Sequence, residues 1–269
     1  MKKPIFYLLL AMLFIGCKNK GIIYNDPIPK HDSLTIDSRF LSEKRIINIW
    51  TPPGYNTTTD SFPVLYMPDG GIKEDFPHIA NTLDTLIKQN KIPKIILVGI
   101  ENTERGRDLT EPTKIEYDLK YIPDAGGSEN FRKFIQNELF PAINQKYRTT
   151  DKNALIGESL AGLFVVETFI LQPQMFDSYI AMDPSLWFNE AYLQKNFEEL
   201  IQEHRYQNKK LWFAGSNAED IHQYTRKLET SLKNSPENLT WKYSDEPNEK
   251  HHTIFRATKE KALVWALND

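Results

Sequence analysis

The sequence has a single cysteine, Cys17, among 269 residues, so an internal disulfide framework is impossible. It also lacks a strong charge of either sign, because the net charge is −3 at pH 7 and Lys and Arg are scattered along the chain. This distribution excludes the basic surface by which proteins bind nucleic acid. The chain contains no glycine-rich phosphate loop, no dinucleotide-binding motif and no His-Glu-x-x-His sequence. We therefore expect no nucleic-acid partner, no cofactor and no metal.

The first residues have the layout of an export signal. Two lysines precede an apolar run over 5–15, which is too short to span a bilayer comfortably. The run ends in Leu-Phe-Ile-Gly-Cys, which resembles a bacterial lipobox with Cys17 as the lipidated residue. We expect residues 1–16 to be a signal peptide and 17–30 a tether that anchors the exported protein to a bacterial membrane. A plain signal peptide with an incidental cysteine is the alternative.

The remaining residues, 31–269, are sufficient for one domain, since 40% of the chain is hydrophobic. Polar and apolar residues alternate in Ser33–Phe40 and Lys44–Thr51, which predicts an antiparallel pair of strands at a sheet edge. Ile92–Ile100 is continuously apolar, as strands buried in a parallel sheet are. Further strands alternate with predicted helices, among them Glu190–His204 and Thr253–Leu267. This order predicts an α/β protein with a mostly parallel central sheet and helices on both faces.

The most informative stretch is 153–164, Asn-Ala-Leu-Ile-Gly-Glu-Ser-Leu-Ala-Gly-Leu-Phe. It has the pattern of a buried strand that turns sharply into a buried helix, with Ser159 at the corner. Gly157 and Gly162 supply the small residues that so tight a turn requires. This arrangement is the nucleophile elbow of the α/β-hydrolase fold, in which the serine is exposed at the carboxyl edge of the sheet. A serine that merely caps a helix is the alternative.

A nucleophilic serine needs a base, which follows it in the chain order of this fold. His204 and His222 fall within predicted helices. His251 and His252 fall in a polar loop before the last helix, at the sheet edge where Ser159 is expected. Only one of two adjacent side chains can face the serine, and we favour His251, with His252 as the alternative.

The acid of the predicted triad should follow a strand at the same edge. Glu219 and Asp220 come shortly after the strand predicted over Lys210–Ala214, and we favour Glu219 with Asp220 as the alternative. Both carboxylates are equally suited to the first turn of a helix. Asp183, which follows the preceding strand, is a third candidate, although its position in Asp-Pro-Ser also suits a bond to the loop backbone.

An oxyanion needs two backbone donors. The amide of Leu160, directly after the serine, is the first candidate. The second is expected after the strand at Val64–Met67, where the glycines of Asp-Gly-Gly allow a close approach to substrate. Gly71 is favoured there, and a simple glycine turn is the alternative.

These residues resemble the putative-esterase (esterase D-like) branch of the α/β-hydrolases. That branch includes siderophore, feruloyl and acetylxylan esterases, S-formylglutathione hydrolase and mycolyltransferases. The resemblance implies Ser159 as nucleophile, His251 as base and Gly71 as oxyanion donor. Glu158 and Ala161 are departures, because the family more often has His and Gly there. The matching segments are 62–70, 105–110, 131–147, 157–164 and 183–188.

Three further residues are candidate substrate contacts. Arg105 and Arg107 lie in a long predicted loop over 101–127, and Trp187 follows the Asp-Pro-Ser turn. They suit a carboxylate, a catecholate or an aromatic acyl group. A loop ion pair between Arg107 and Asp108 and a core position for Trp187 are the structural alternatives.

The sequence therefore predicts a serine-dependent ester hydrolase that works through an acyl-enzyme. The resemblance implies small-molecule siderophore esters or acylated glycans as substrates. Two alternatives stay open: a non-catalytic binding lipoprotein on the same scaffold, and an acyltransferase that uses the same serine.

Overall fold

A computed structural model describes residues 25–235 and 239–268. The described residues form one eight-stranded sheet in the order β1-β2-β4-β3-β5-β6-β7-β8. Strands β3 to β8 run parallel, and the antiparallel strands β2 and β1 complete one edge. The strands are β1 Asp32–Ser38, β2 Glu43–Trp50, β3 Phe62–Met67, β4 Ile96–Ile100, β5 Thr149–Glu158, β6 Ser178–Met182, β7 Lys210–Gly215 and β8 Thr240–Asp245.

Helices follow most of the strands, as crossover connections between parallel strands require. Single 3-10 turns occupy Tyr55–Thr57 and Pro173–Met175, and a π-helical segment, Ile135–Leu139, joins α4 to α5. The helices are α1 Phe76–Lys88, α2 Arg105–Leu109, α3 Glu116–Tyr121, α4 Ser128–Phe134, α5 Phe140–Lys146, α6 Leu160–Leu171, α7 Phe188–Lys195, α8 Phe197–Gln202, α9 Glu219–Asn234 and α10 His251–Leu267.

The central strands are buried on both faces, which explains their continuously apolar sequences. Along β3, Val64 and Tyr66 pack into the core on one face, whereas Leu65 and Met67 pack on the other. The core that contains Leu65 and Met67 lies beneath α1 and α10. The core that contains Val64 and Tyr66 lies beneath α6 and the helices around it. This alternation follows from the two-residue period of a strand.

The α/β-hydrolase fold predicted from the sequence is therefore correct, and the edge strands lie within two residues of their predicted bounds. Three local predictions differ. The expected helix Glu190–His204 is two helices, α7 and α8, and Asn189–Ala191 at the start of α7 has left-handed backbone angles. The long loop over 101–127 contains α2 and α3. Helix α10 begins at His251, two residues before the predicted start.

Contacts with the domain begin before residue 31, where the sequence suggested a boundary. Asp26 forms a salt bridge with Arg256 of α10, and the carbonyl of Pro27 accepts a hydrogen bond of 2.8 Å from Asn81 of α1. The predicted signal peptide and Cys17 lie outside the described residues. Within the described part of the chain, no helix combines the length and apolar character needed to cross a membrane.

Candidate active site

Ser159 lies at the corner between β5 and α6 with φ 59° and ψ −119°. A positive φ is uncommon for a residue with a side chain, and such strain persists only where the surroundings impose it. Here the backbone is held from both sides. The amide of Ser159 donates to the carbonyl of Met182 at 3.0 Å, and its carbonyl accepts from the amide of Leu163 at 2.8 Å. The serine side chain is thereby fixed at the carboxyl edge of the sheet.

The glycines beside Ser159 are required by contact distances. A Cβ on Gly157 would lie 2.6 Å from the backbone carbonyl carbon and oxygen of Ala161. A Cβ on Gly162 would lie 2.9 Å from the carbonyl oxygen of Met182. Both contacts are with backbone, which cannot rotate away as a flexible side chain can. The close approach of β5 and α6 therefore depends on these two positions.

His251 is the histidine that faces the serine. It is the first residue of α10, and its Nε2 lies 3.1 Å from Ser159 Oγ. His252 is exposed. The base thus stands on the first turn of a helix rather than in a loop, a position that packing of α10 against β6 and β7 defines.

The carboxylate that contacts His251 belongs to Asp183, and not to Glu219 or Asp220, which the sequence favoured. Asp183 Oδ2 lies 2.8 Å from His251 Nδ1. The carboxylate is fully buried and also accepts hydrogen bonds from the amide and the hydroxyl of Ser216, at 2.6 and 2.7 Å. Glu219 and Asp220 are instead exposed first-turn residues of α9. There they complement the helix dipole, the structural role considered above for both carboxylates.

These contacts determine how the imidazole is protonated. A carboxylate only accepts hydrogen bonds, so Nδ1 of His251 carries the proton and Nε2 is left to accept from the Ser159 hydroxyl. The hydrogen bond to Asp183 raises the pKa of His251, and the charge of Glu158 acts in the same direction. The three side chains form the hydrogen-bonded series by which a serine is made nucleophilic.

The two expected oxyanion donors have different surroundings. Leu160 is the first residue of α6, so its amide has no acceptor within its own helix. The amide of Gly71 donates to Oε2 of Glu74 at 2.7 Å. Burial raises the pKa of Glu74. In this structure a carboxylate therefore occupies the donor that the resemblance assigns to the oxyanion.

Glu158, the residue before the serine, is half-buried, and burial raises its pKa to about 8. The carboxylates of Asp75, Asp183 and Asp69 raise that pKa further, whereas His251 lowers it. Glu158 is therefore largely uncharged at neutral pH. Glu158 therefore places a full negative charge beside Ser159 mainly at alkaline pH.

Arg105 is close to Ser159, whereas Arg107 is paired with carboxylates of α2 and β2. Arg105 forms a two-point salt bridge with Asp69, at 2.6 and 2.8 Å, and its Nη2 lies 3.4 Å from the carbonyl oxygen of Glu158. The guanidinium of Arg107 is taken up by Glu43 and Asp108, which join α2 to β2. The loop ion pair was thus the correct interpretation of Arg107.

Trp187 lies beside the site rather than deep in the core. It is half-buried, and its ring contacts those of Tyr117 and Phe188. Sequence analysis did not single out Ser185, whose Oγ lies 3.4 Å from Ser159 Oγ and whose amide donates to the Ser159 carbonyl at 3.1 Å. Its position in the Asp-Pro-Ser turn after a strand at the catalytic edge was the available signal.

Among the described residues, no group of three or more His, Cys, Asp or Glu side chains is arranged to hold a metal ion. The site is therefore built from a hydroxyl, an imidazole, carboxylates and backbone amides. Such a set suits acyl transfer through a serine nucleophile.

Comparisons with known proteins agree with this chemistry. The model of the family described as "Putative esterase" matches residues 38–265. The chain is 30% identical to the ferri-bacillibactin esterase BesA of Bacillus subtilis over 191 aligned residues. The alignment covers 65% of each protein. It is 28% identical over 154 residues to the apo-salmochelin esterase of Escherichia coli, over 53% of this chain and 48% of that protein. The matches thus span less than two thirds of the length of both curated relatives.

A solved structure supports the same grouping. An IroE-like serine hydrolase from Shewanella oneidensis superposes with a TM-score of 0.78 and 29% sequence identity. The superposition covers 88% of this chain and 79% of that one. The similarity therefore extends over nearly the whole domain.

Proposed function

Since the chain belongs to the family described as "Putative esterase", we propose that it is a serine-dependent carboxylic ester hydrolase. The observation that carries this proposal is the hydrogen-bonded series from Ser159 Oγ through His251 to buried Asp183, with distances of 3.1 and 2.8 Å. A base at hydrogen-bonding distance from a hydroxyl, itself oriented by a carboxylate, is the arrangement that activates a serine.

In the proposed reaction, Ser159 Oγ attacks the ester carbonyl while its proton passes to Nε2 of His251. Asp183 stabilises the imidazolium that forms, and the amide of Leu160 donates to the oxyanion. His251 then protonates the leaving alkoxide, which departs as an alcohol and leaves an acyl-enzyme. Water, deprotonated by His251, attacks this ester, releases the acid and returns the proton to Ser159.

Siderophore esters are the substrates that we propose. The support comes from the relatives, since two of those compared are named for siderophore esters, bacillibactin and salmochelin. The relatives compared give less support to acylated glycans, the other class considered from the sequence. A transferase that passes the acyl group to another alcohol would share the first half of the reaction.

The experiment compares the wild type with Ser159→Ala on siderophore esters, acetylated sugars and activated short-chain esters. We expect siderophore esters to be hydrolysed with the highest kcat/KM, and the variant to lose about 10⁶-fold in kcat while keeping its thermal unfolding curve. Undiminished hydrolysis in the variant would contradict the proposal. Binding without any hydrolysis by the wild type would support the non-catalytic alternative, and an acylated acceptor alcohol would support the transferase.

We also propose that the protein is exported and lipid-anchored through Cys17, on the support of the lipobox-like sequence alone. Expression with an alkyne-bearing fatty acid should label the wild type and leave Cys17→Ala unlabelled. The variant should also leave the membrane fraction. Membrane association of Cys17→Ala equal to that of the wild type would contradict the anchor.

A further inference from the structure

Three aromatic side chains form a cluster beside the proposed catalytic serine. Tyr117 and Tyr121, one helical turn apart on α3, have ring centroids 5.1 Å apart, and Tyr117 lies 6.4 Å from the ring of Trp187. The tyrosines are 62% and 61% exposed. Large aromatic side chains left this exposed and grouped together commonly mark a binding surface. We call Tyr117, Tyr121 and Trp187 the aromatic platform.

The chain connectivity places the platform at the entrance to the site. Trp187 is two residues after Ser185, whose hydroxyl oxygen is 3.4 Å from that of Ser159. The platform therefore lies on the side of the site where Ser185 approaches the proposed nucleophile.

A strained backbone segment holds the platform in place. Asn189, Glu190 and Ala191 have φ values of 52°, 52° and 59°, in the left-handed region that side chains disfavour. The turn is fastened to helix α3, which carries Tyr117, because the amide of Asn189 donates to Asp118 at 2.9 Å. Strain maintained in this way is typical of ligand-binding segments, where it fixes side chains before a ligand arrives.

Two further contacts reinforce the fastening. Asn189 Nδ2 donates to Glu111 Oε1 at 3.0 Å, and Thr113 Oγ1 donates to Asp118 at 3.1 Å. Asp118 is 2% exposed, so its carboxylate is committed to this junction rather than to solvent. The junction joins α3 to the start of α7 and keeps the tyrosines beside Trp187.

We propose that the aromatic platform binds an aryl ring of the ester substrate while the ester carbonyl lies at Ser159. This inference rests on the proposed esterase function and specifies its substrate as an ester that carries an aromatic ring. Aromatic rings pair in edge-to-face or offset geometry with a gain beyond simple burial.

The test uses two matched substrates, the methyl esters of N-(2,3-dihydroxybenzoyl)serine and N-acetylserine. We expect Tyr117→Ala and Tyr121→Ala each to lower kcat/KM for the aryl ester by about three- to tenfold, mainly through KM. The acetyl ester should change less than about twofold. Tyr117→Phe, which retains the ring, should keep most of the aryl preference.

The matched control is Leu119→Ala on the same helix, which removes a 36% exposed apolar side chain two residues from each tyrosine. Residues two apart on a helix do not share a face, so this variant should keep the ratio between the two esters. Equal losses on both esters in the tyrosine variants, or no loss on the aryl ester, would overturn the platform.

A binding measurement separates this inference from the proposed reaction. In the Ser159→Ala background, calorimetry should show tighter binding of the aryl ester than of the acetyl ester, and Tyr117→Ala should abolish most of that difference. Aryl-selective binding without hydrolysis by the wild type would overturn the esterase and leave the platform standing. Hydrolysis without aryl-selective binding would overturn the platform and leave the esterase.

Discussion

Asp183 Oδ2 lies 2.8 Å from Nδ1 of His251, although 68 residues separate them in the chain. The carboxylate is supplied by the end of β6, next to the strand that carries Ser159, and the imidazole by the first turn of α10. The ends of β5 and β6 meet at one edge of the parallel sheet, so Asp183 lies near Ser159, and α10 begins at the same edge with His251. The acid is therefore determined by strand adjacency, which distance along the chain does not reveal.

Replacement of Asp183 should distinguish it from the acids that follow β7. Asp183→Asn keeps the shape but presents an amide to Nδ1, so the imidazole loses the partner that fixes its tautomer. We expect kcat to fall by about 10³- to 10⁴-fold. Glu219→Gln and Asp220→Asn are the matched controls and should stay within about threefold of the wild type. Steady-state kinetics with one ester measures kcat for the three variants. A loss of kcat in either control larger than that in Asp183→Asn would assign the acid to α9 instead.

Gly157→Ala should disrupt the elbow, because the new Cβ would lie 2.6 Å from the backbone of Ala161. We expect the free energy of unfolding to fall by about 1–3 kcal/mol, together with most of the activity. Ala161→Gly added to this variant should not rescue it, since the clash is with backbone atoms rather than with the alanine methyl alone. Denaturant unfolding measures the loss, and full rescue in the double variant would show that the backbone can move aside.

Glu158 makes stability depend on pH. Its pKa is raised from 4.5 to about 8 in the folded protein, so between these values the folded state binds more protons than the unfolded state. The free energy of unfolding should therefore fall as pH rises from about 5 to 8, by up to about 1.4 kcal/mol per unit. Glu158→Gln does not titrate and should lose this contribution, which denaturant unfolding at several pH values measures.

The same variant reports on His251. Glu158 is largely protonated below about pH 8, so Glu158→Gln should leave the acid limb of the pH profile of kcat/KM, where His251 titrates, in place. A shift of the acid limb towards lower pH would instead show that Glu158 is ionised in that range and favours the imidazolium of His251.

Under the proposed oxyanion role of Gly71, Glu74 competes with the oxyanion for the Gly71 amide. Glu74→Ala frees that donor and removes a carboxylate from a place where negative charge develops, so kcat should rise by a few-fold up to about tenfold. Glu74→Gln removes only the charge and should produce a smaller rise. A fall in kcat in both variants, measured at saturating substrate, would mean that Glu74 positions the loop instead.

Much of this architecture was predictable from local sequence. Apolar periodicity identified the buried parallel strands. The small residues around Ser159 identified the elbow, because a strand and a helix that pack this closely require glycine at the points of contact. The acid was not predictable in the same way, since carboxylates follow both β6 and β7, and only the order of the strands in the sheet places Asp183 next to Ser159. Arg105 and Arg107 are likewise the same residue type and only two positions apart in the chain. The orientation of the short helix α2 decides which one reaches the site. The occupation of the Gly71 amide by Glu74 depends on turn geometry that composition does not encode.

The most direct test of the account is labelling with diisopropyl fluorophosphate, which reacts with a hydroxyl only when a neighbouring base activates it. Intact mass and peptide mapping should show one phosphoryl adduct on the wild type, located at Ser159. Ser185→Ala, which removes the hydroxyl 3.4 Å away, should still be labelled, and Ser159→Ala should not. Persistent labelling of Ser159→Ala, or an adduct mapped to another residue, would contradict the assignment of Ser159 as the nucleophile.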